Sequence, residues 1–351
     1  MNDLVLVNAD HLKDFCEAVF TRAGADIETA TDATRAMMHA SIHAVESHGV
    51  RLLPHYITAI RGGRVNGQPK MEFTRVKAGS GLLDGDHGHG AHVAYVATDH
   101  AIEMARDAGI AAVGIRNSSH FGPAGAFTLH AAQQGFIALA TCNSDSFVRL
   151  HDGATRFHGT NPISVAAPSG GDDPWLLDMA TSAVPYNRVQ LYKSLGQELP
   201  ELVASDADGL NTHDPAAAEM LVPLGGEFGF KGAGLGGVAE ILSAALTGMR
   251  FSPEIAPMPG PDFSTQREMG AFILVIDPDG FVGRALFEGG MRRYLEQLRQ
   301  SPARDGMRVM APGDREWVRA KERRTHGMPL DPVTLTEFED LAQDFGVELP
   351  F

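Results

Sequence analysis

Cysteine is nearly absent from this chain. Only Cys16 and Cys142 occur among 351 residues, too few for a disulfide framework and in keeping with a reducing compartment. Cys142 lies inside an apolar run, where it reads as core packing rather than as a nucleophile. Long apolar stretches are missing as well: runs such as "AFILVI" at 271–276 fall far short of the roughly 20 residues that span a bilayer. The opening residues, "MNDLVLVNADHLKD", set acids among apolar side chains and offer no cleavable hydrophobic stretch. Basic residues are also scarce, with 29 Lys and Arg against 44 Asp and Glu, a net charge of −15. Without a long basic cluster there is no footprint for phosphate backbones. A cytoplasmic protein with neither a membrane nor a nucleic-acid partner is expected.

What is present is globular. Hydrophobic residues make up 44% and charged residues 21%, and the length allows a sizeable core and two domains. From about residue 9 to 47 the pattern is helical. Asp10 can cap a helix ending near Gly24, and a second helix, "IETATDATRAMMHASIHAV", repeats Met38, Ile42 and Val45 on one face and stops at Gly49. Short buried strands are predicted at 111–117, 136–142, 163–167, 175–179 and 271–277, with "DPDG" turning the chain after the last. Helical patterns fall at about 92–107, 123–134 and 235–248. The stretch 142–180 passes between strands without a helix, which argues against a purely parallel sheet. Residues 197–228 read as surface loops and 281–350 as helix with acidic loop. A central sheet flanked by a helical portion from both chain ends is the expected arrangement.

Several constellations invite chemistry. His39 and His43 have the helical spacing of zinc ligands, but Ala40 stands where a zinc protease carries its glutamate. His87, His89 and His92 fall in "DGDHGHGAH", which reads better as a glycine-rich bend before a helix than as a metal cage; no metal is expected. "KGAGLGG" matches the glycine fingerprint of dinucleotide-binding turns through Gly232, Gly234 and Gly237, yet no strand precedes it. Two local readings stay open there: an anion site built from Lys231 and helix N-terminal amides, or close helix packing. In "IRNSSHFGPAGAF" a strand exits into a helix with Pro123 in its first turn, which puts His120 where loops often carry ligand contacts.

His48 occupies the predicted helix end. There the macrodipole favours an imidazolium, so the ring can hold a proton and still release it, as a general acid must. Ser47 is available to orient the ring or to satisfy the last helical carbonyls. A Ser-His nucleophile pair is not expected, since adjacent side chains seldom face each other and no G-x-S-x-G elbow exists.

In order, "SHGVRLLPHY" (47–56), "NSSHFGPAG" (117–125), "HGTNPISVAAP" (158–168), "LDMATSAV" (177–184), "FKGAGLGGVAEILSAALTG" (230–248) and "APGDREW" (311–317) resemble the malate/L-lactate dehydrogenase family of oxidoreductases without a Rossmann fold. Relatives include ureidoglycolate, sulfolactate and diketogulonate dehydrogenases and cyclic imino acid reductases. The resemblance implies an α/β fold with a mixed or antiparallel central sheet. Residues 1–75 would form a helical portion with the catalytic motif, 76–280 a cofactor-binding sheet domain, and 281–351 a C-terminal helical portion. It also implies a homodimer using NAD or NADP. His48 would be the acid/base, with Ser47 in its relay. His120, Phe121, Gly122, Pro123, Ala124, Asp178, Met179, Ala180, Phe230, Lys231 and Gly313 would line the cofactor, and Thr160 and His120 would touch substrate.

Two positions depart from the family pattern. Many relatives carry an arginine four residues after the motif histidine to grip a substrate carboxylate; this chain has Leu52, with Arg51 pointing about 100° away on a continuing helix. The aspartate that completes the relay in imino acid reductases is replaced by Asn187 and Arg188, so Arg51 and Arg188 become the candidate carboxylate holders. The expected activity is hydride transfer between nicotinamide and a small 2-hydroxy or 2-oxo acid. Reduction of a cyclic or N-alkyl imino acid is the alternative, and a catalytically silent homologue or a zinc hydrolase are the other classes considered.

Overall fold

The computed structural model describes residues 5–351, apart from the side chain of Asn187. Strand β1 (Val5–Val7) leads into helices α1 (Ala9–Arg22), α2 (Ile27–Ile42) and α3 (Leu53–Arg61). Asn8, not Asp10, caps α1: its side chain accepts from the Asp10 amide at 2.8 Å, and Asp10 lies in the first turn. Asp26 caps α2 by accepting from Thr29 N at 2.7 Å.

The α2 ladder ends at Ile42, several residues before the expected stop. Ala44 adopts a left-handed φ of 62°, which breaks the helix, and two short 3₁₀ turns follow at Glu46–His48 and Val50–Leu52. Gly49 is therefore no helix stop. Its φ of −86° suits any residue, but a Cβ there would collide with the Ser41 hydroxyl, which accepts from Val50 N. The glycine lets the Ser47–His48 segment lie flat against α2.

The sheet is built from the hairpin β2 (Glu72–Lys77) and β3 (Ser80–Asp84), then α4 (Gly90–Ala108), β4 (Ile110–Ser118), α5 (Ala124–Gln133) and β5 (Ile137–Cys142). Beyond β6 (Val148–Arg149) and β7 (Arg156–His158) come β8 (Ile163–Ala167) and β9 (Trp175–Met179). Helix α6 (Tyr186–Leu195), β10 (Ala204–Ser205), β11 (Met220–Leu221), α7 (Phe230–Glu240) and β12 (Met269–Ile276) complete the middle of the chain. Helices α8 (Arg284–Arg299), α9 (Asp314–His326) and α10 (Pro332–Phe345) close it, with β13 (Met328–Leu330) between the last two. The hairpin β2–β3 was not among the strands expected. Its residues are mostly exposed or half-buried, so it lacks the apolar run that marks the interior strands.

Seven strands lie in the order β2-β3-β4-β12-β5-β8-β9. Only β3 and β4 run parallel, joined through α4; every other pair is antiparallel. The mixed sheet matches the expectation drawn from the helix-free stretch between strands. Ala111, Val113 and Ile115 of β4, Ala138 and Ala140 of β5, and Ile273 and Val275 of β12 are buried in one core with Ala97, Ala101 and Phe127 of the covering helices. The opposite side of β12 carries a five-residue π-helical turn, Ile241–Ala245, that continues α7. At this crossing a Cβ on Gly270 would collide with the Ser243 carbonyl. Gly270→Ala should therefore cost about 1–3 kcal/mol of stability, the usual range for overpacking; an unchanged denaturant midpoint would show that the turn can yield.

A second core joins both chain ends. Leu12, Phe15, Phe20, Met37, Leu53 and Ile57 pack with Phe338 and Leu341. The antiparallel ladder of β1 and β13, pairing Val5 with Leu330, ties the ends together. A four-stranded sheet, β10-β11-β6-β7, packs with α6 through Val148, Val189 and Leu221. No helix among the described residues is long and apolar enough to cross a membrane.

Candidate active site

The two 3₁₀ turns present Ser47 and His48. The adjacent side chains do face each other, contrary to expectation: Ser47 Oγ lies 2.8 Å from His48 Nδ1. The tight turn in place of an α-helix allows it. Loss of the helix end also removes the dipole argument. Burial disfavours the charged ring and lowers the His48 pKa to about 4, so the side chain is a neutral imidazole near pH 7. Such a ring has an unprotonated nitrogen to offer, although the same burial makes it a weaker base than a free imidazole.

His120 lies where β4 exits, as anticipated, and its ring stacks on that of His48 with centroids 5.6 Å apart and planes inclined by 22°. Burial, reinforced by the competing His48 ring and the Arg267 charge, holds the His120 pKa well below its usual value. Tyr56, one turn into α3, brings its hydroxyl to 2.8 Å from His120 Nδ1. Sequence reasoning passed over Tyr56 although it ends the motif "SHGVRLLPHY"; its eight-residue separation from His48 meant nothing until the turns and α3 folded back. His55 beside it is also held low, at about 4, chiefly by burial.

The loop that begins at His120 leads to α5, where Pro123 is the residue before the first helical position rather than inside it. Phe121 is buried in the sheet core, so it supports the loop and does not line an open surface. Gly125 N donates to Asp178 Oδ2 at 2.8 Å, which joins this helix start to the end of β9 and to Met179 and Ala180. Desolvation of the carboxyl among its neighbours raises the Asp178 pKa to about 6, against the lowering effect of that amide, while the residue as a whole is exposed. Thr160 is next in the chain of contacts, its carbonyl accepting from Thr181 N at 2.9 Å.

Thr181 in turn accepts from Leu224 N through its carbonyl at 2.9 Å, and the 224 segment abuts α7. Here the glycines divide. A Cβ on Gly232 would collide with the Leu224 backbone and one on Gly236 would press on His158, whereas Gly234 and Gly237 face open space among the described residues. Close packing thus accounts for part of the "KGAGLGG" pattern. Lys231 is exposed at the start of α7, its Nζ 5.4 Å above the Phe228 ring and 6.0 Å above that of Phe230. Gly313 precedes α9 with a φ of +95°, a conformation that favours glycine, and a Cβ there would press on the Trp317 indole and the Leu176 amide. It lies beside β9.

The arginines fall elsewhere. Arg51 is in a 3₁₀ turn, so it is separated from Leu52 by about 120° and not 100°. It is exposed, and its charge acts on Asp331 and Glu337 near α10. Leu52 packs against the helical core instead. Arg188 is an exposed residue of α6 whose side chain makes no hydrogen bond or ion pair among the described residues, and the side chain of Asn187 is outside them.

Three of the histidines considered for metal make hydrogen bonds within the protein, His43 Nδ1 lying 2.7 Å from the His39 carbonyl. His89 caps α4 by accepting from Ala91 N at 3.3 Å, and His92 pairs with Asp32 at 2.7 Å. Among the described residues no three His, Cys, Asp or Glu side chains gather in a metal-binding group. A cavity of 640 Å³ lined by Gly24, Val65, Asn66 and His87 shares no lining residue with the Ser47, His48 and His120 cluster.

A mixed sheet with these ordered motifs, and a stacked histidine pair beyond the C-terminal end of β4, defines an oxidoreductase of the malate/L-lactate dehydrogenase type. The chain belongs to the malate/L-lactate dehydrogenase family, whose model matches residues 7–339. It is 34% identical to a malate dehydrogenase of Pyrococcus abyssi, over 98% of this chain and 96% of that protein. It is 33% identical to a Δ1-pyrroline-2-carboxylate/Δ1-piperideine-2-carboxylate reductase of Pseudomonas putida, over 96% and 97% respectively. The crystal structure of a malate dehydrogenase from Entamoeba histolytica superposes with a TM-score of 0.93 at 29% identity, covering 99% of this chain and all of that one.

Proposed function

We propose that this protein transfers hydride between NAD or NADP and a small 2-hydroxy acid/2-oxo acid pair, with His48 as general acid/base. One observation carries the reading: a neutral His48 bonded through Nδ1 to Ser47 and stacked on His120. Among the described residues Nε2 of His48 has no protein partner, leaving it to take the hydroxyl proton of a substrate as hydride departs. Ser47 Oγ accepts from Nδ1–H and so keeps the lone pair on Nε2; in reverse Nε2 returns its proton to the substrate oxygen as hydride arrives.

The residues fit a dinucleotide. Amides at the starts of α5 and α7, an exposed Lys231 between aromatic rings, and side-chain-free surface at Gly234 and Gly237 suit phosphates and flat rings. Met179, Ala180, Phe230 and Gly313 would extend the same surface. The bound nicotinamide supplies the hydride acceptor or donor. Thr160 and His120 would meet the substrate, and Arg188 would hold its carboxylate if α6 moves toward His48. Arg51, occupied near Asp331, is the weaker choice for that task.

The family's dimeric habit would cover the exposed apolar side chains Leu235, Val238, Ile241 and Leu246 with a second copy of the chain. Reduction of a cyclic or N-alkyl imino acid remains the second reading, favoured by the likeness to the Pseudomonas putida reductase.

The test is oxidation of NADH and NADPH with pyruvate, oxaloacetate, 2-oxoglutarate and glyoxylate, each with and without an amine, and with cyclic imino acids. Turnover on an amine-free oxo acid supports the first reading. Turnover on imines alone moves the enzyme to the second. In the oxidative direction kcat/KM requires neutral His48, so its acidic limb should lie near pH 4 and leave the profile flat toward neutrality; a limb at the ordinary histidine value would place the proton elsewhere.

A further inference from the structure

We propose that Tyr56 is a positioning residue that fixes His120 as its Nε2–H tautomer, so that His120 donates a hydrogen bond to the reacting oxygen of the substrate beside His48. This rests on the proposed function above. Tyr56 is 3% exposed, and among the described residues its hydroxyl has one hydrogen-bond partner, His120 Nδ1 at 2.8 Å. A phenol so enclosed keeps its proton, because burial pushes its ionisation upward. A buried O–H must donate somewhere, since leaving it unpaired carries the full cost of desolvation. The acceptor at hand is Nδ1, so that nitrogen carries a lone pair and the proton of the neutral ring belongs on Nε2.

Both partners are held. The His89 ring meets Tyr56 edge to face at 4.4 Å. Gly122, in a left-handed conformation with φ +79°, sits next to the phenol oxygen at ordinary contact distance, an added Cβ lying 3.7 Å from it. On the other side, Ser119 Oγ accepts from Gly90 N and donates to the Gly88 carbonyl, anchoring the residue before His120. Gly90 has no room for a Cβ against the Ser119 and His120 carbonyls. The loop and the phenol are therefore pinned from separate elements, and the tautomer follows from their meeting.

The arrangement gives the stacked rings different tasks. Hydroxyls engage Nδ1 of both, Ser47 for His48 and Tyr56 for His120. Ser47 can exchange its proton with solvent because it is half-buried, whereas Tyr56 is enclosed. One ring can shuttle protons while the other stays a fixed donor, polarising the carbonyl in reduction and orienting the hydroxyl in oxidation.

The experiment is nitrogen NMR of the full-length protein labelled with ¹⁵N-histidine, with the His120 signals assigned from His120→Gln. Near neutral pH the wild type should show an unprotonated, hydrogen-bonded Nδ1 and a protonated Nε2. Tyr56→Phe, which deletes one oxygen, should shift the Nδ1 signal and admit exchange with the other tautomer. In parallel it should lower kcat roughly 10-fold, short of the 10²–10³ lost when such a donor is deleted outright, with the cofactor KM unchanged. A protonated Nδ1 in the wild type, or identical His120 signals in Tyr56→Phe, would overturn the proposal. Because the spectrum is read without substrate or cofactor, a correct tautomer in a protein inactive on every oxo acid and imine would count against the function and not against Tyr56.

Discussion

His48→Ala should lower turnover by 10²–10⁴, the range a general acid/base contributes, while the affinity for reduced nicotinamide cofactor stays at the wild-type value. The separation follows from the geometry. His48 is held by Ser47 and His120, whereas the surfaces suited to a dinucleotide are the starts of α5 and α7 and the end of β9. Removing the imidazole deletes the proton acceptor and leaves those surfaces intact. Titration of cofactor fluorescence beside steady-state kinetics measures both quantities. Weakened cofactor binding with near-normal kcat would assign His48 to the wrong role.

The second large effect is loss of stability in mild acid. His39, His43, His48, His55, His89 and His120 all have pKa values below 6.5, each chiefly because burial disfavours the charged ring. The sign follows from the unfolded state, where these rings titrate near 6.5. As pH falls below that value the unfolded chain takes up protons that the folded chain refuses, so stability is lost until the folded pKa values near 4 and 3 are reached. Each histidine steepens the loss by up to about 1.4 kcal/mol per pH unit.

Asp178 works in the other direction. Its folded pKa is raised to about 6, so its contribution is fully present below the unfolded value of 3.8 and disappears as pH rises through 6. Because Asp178 is exposed, solvent screens this effect and it offsets less than one buried ring. Urea unfolding at a series of pH values from neutral toward 5 should show a steep decline, and constant stability over that interval would refute it. His89→Asn keeps a capping oxygen for Ala91 N and should reduce the slope by about one proton.

Much of the fold could be read from the chain as letters. The apolar runs at 163–167 and 175–179 correspond to β8 and β9 residue for residue, because a short buried strand announces itself by composition. The helix-free passage from 142 to 180 foretold a mixed sheet. The edge hairpin β2–β3 could not be found this way, since its strands are held by pairing and not by an apolar pattern. The end of α2 was misplaced for a similar reason: glycine attracted the boundary to residue 49, while the break was made by Ala44 in a left-handed conformation.

At the site, sequence determined which chemical groups were available: a serine and a histidine in tandem, a second histidine at a strand exit, and glycines flanking a lysine. Tertiary structure decided what those groups are. It replaced a helix terminus by a 3₁₀ turn, so the dipole no longer protonates His48 and burial keeps it neutral. It turned Arg51 toward Asp331 and brought Tyr56 to His120 across 64 residues of chain. Residue identity is local, but proton affinity and hydrogen-bond direction depend on desolvation and on atoms supplied by distant segments, and those exist only once the chain has folded.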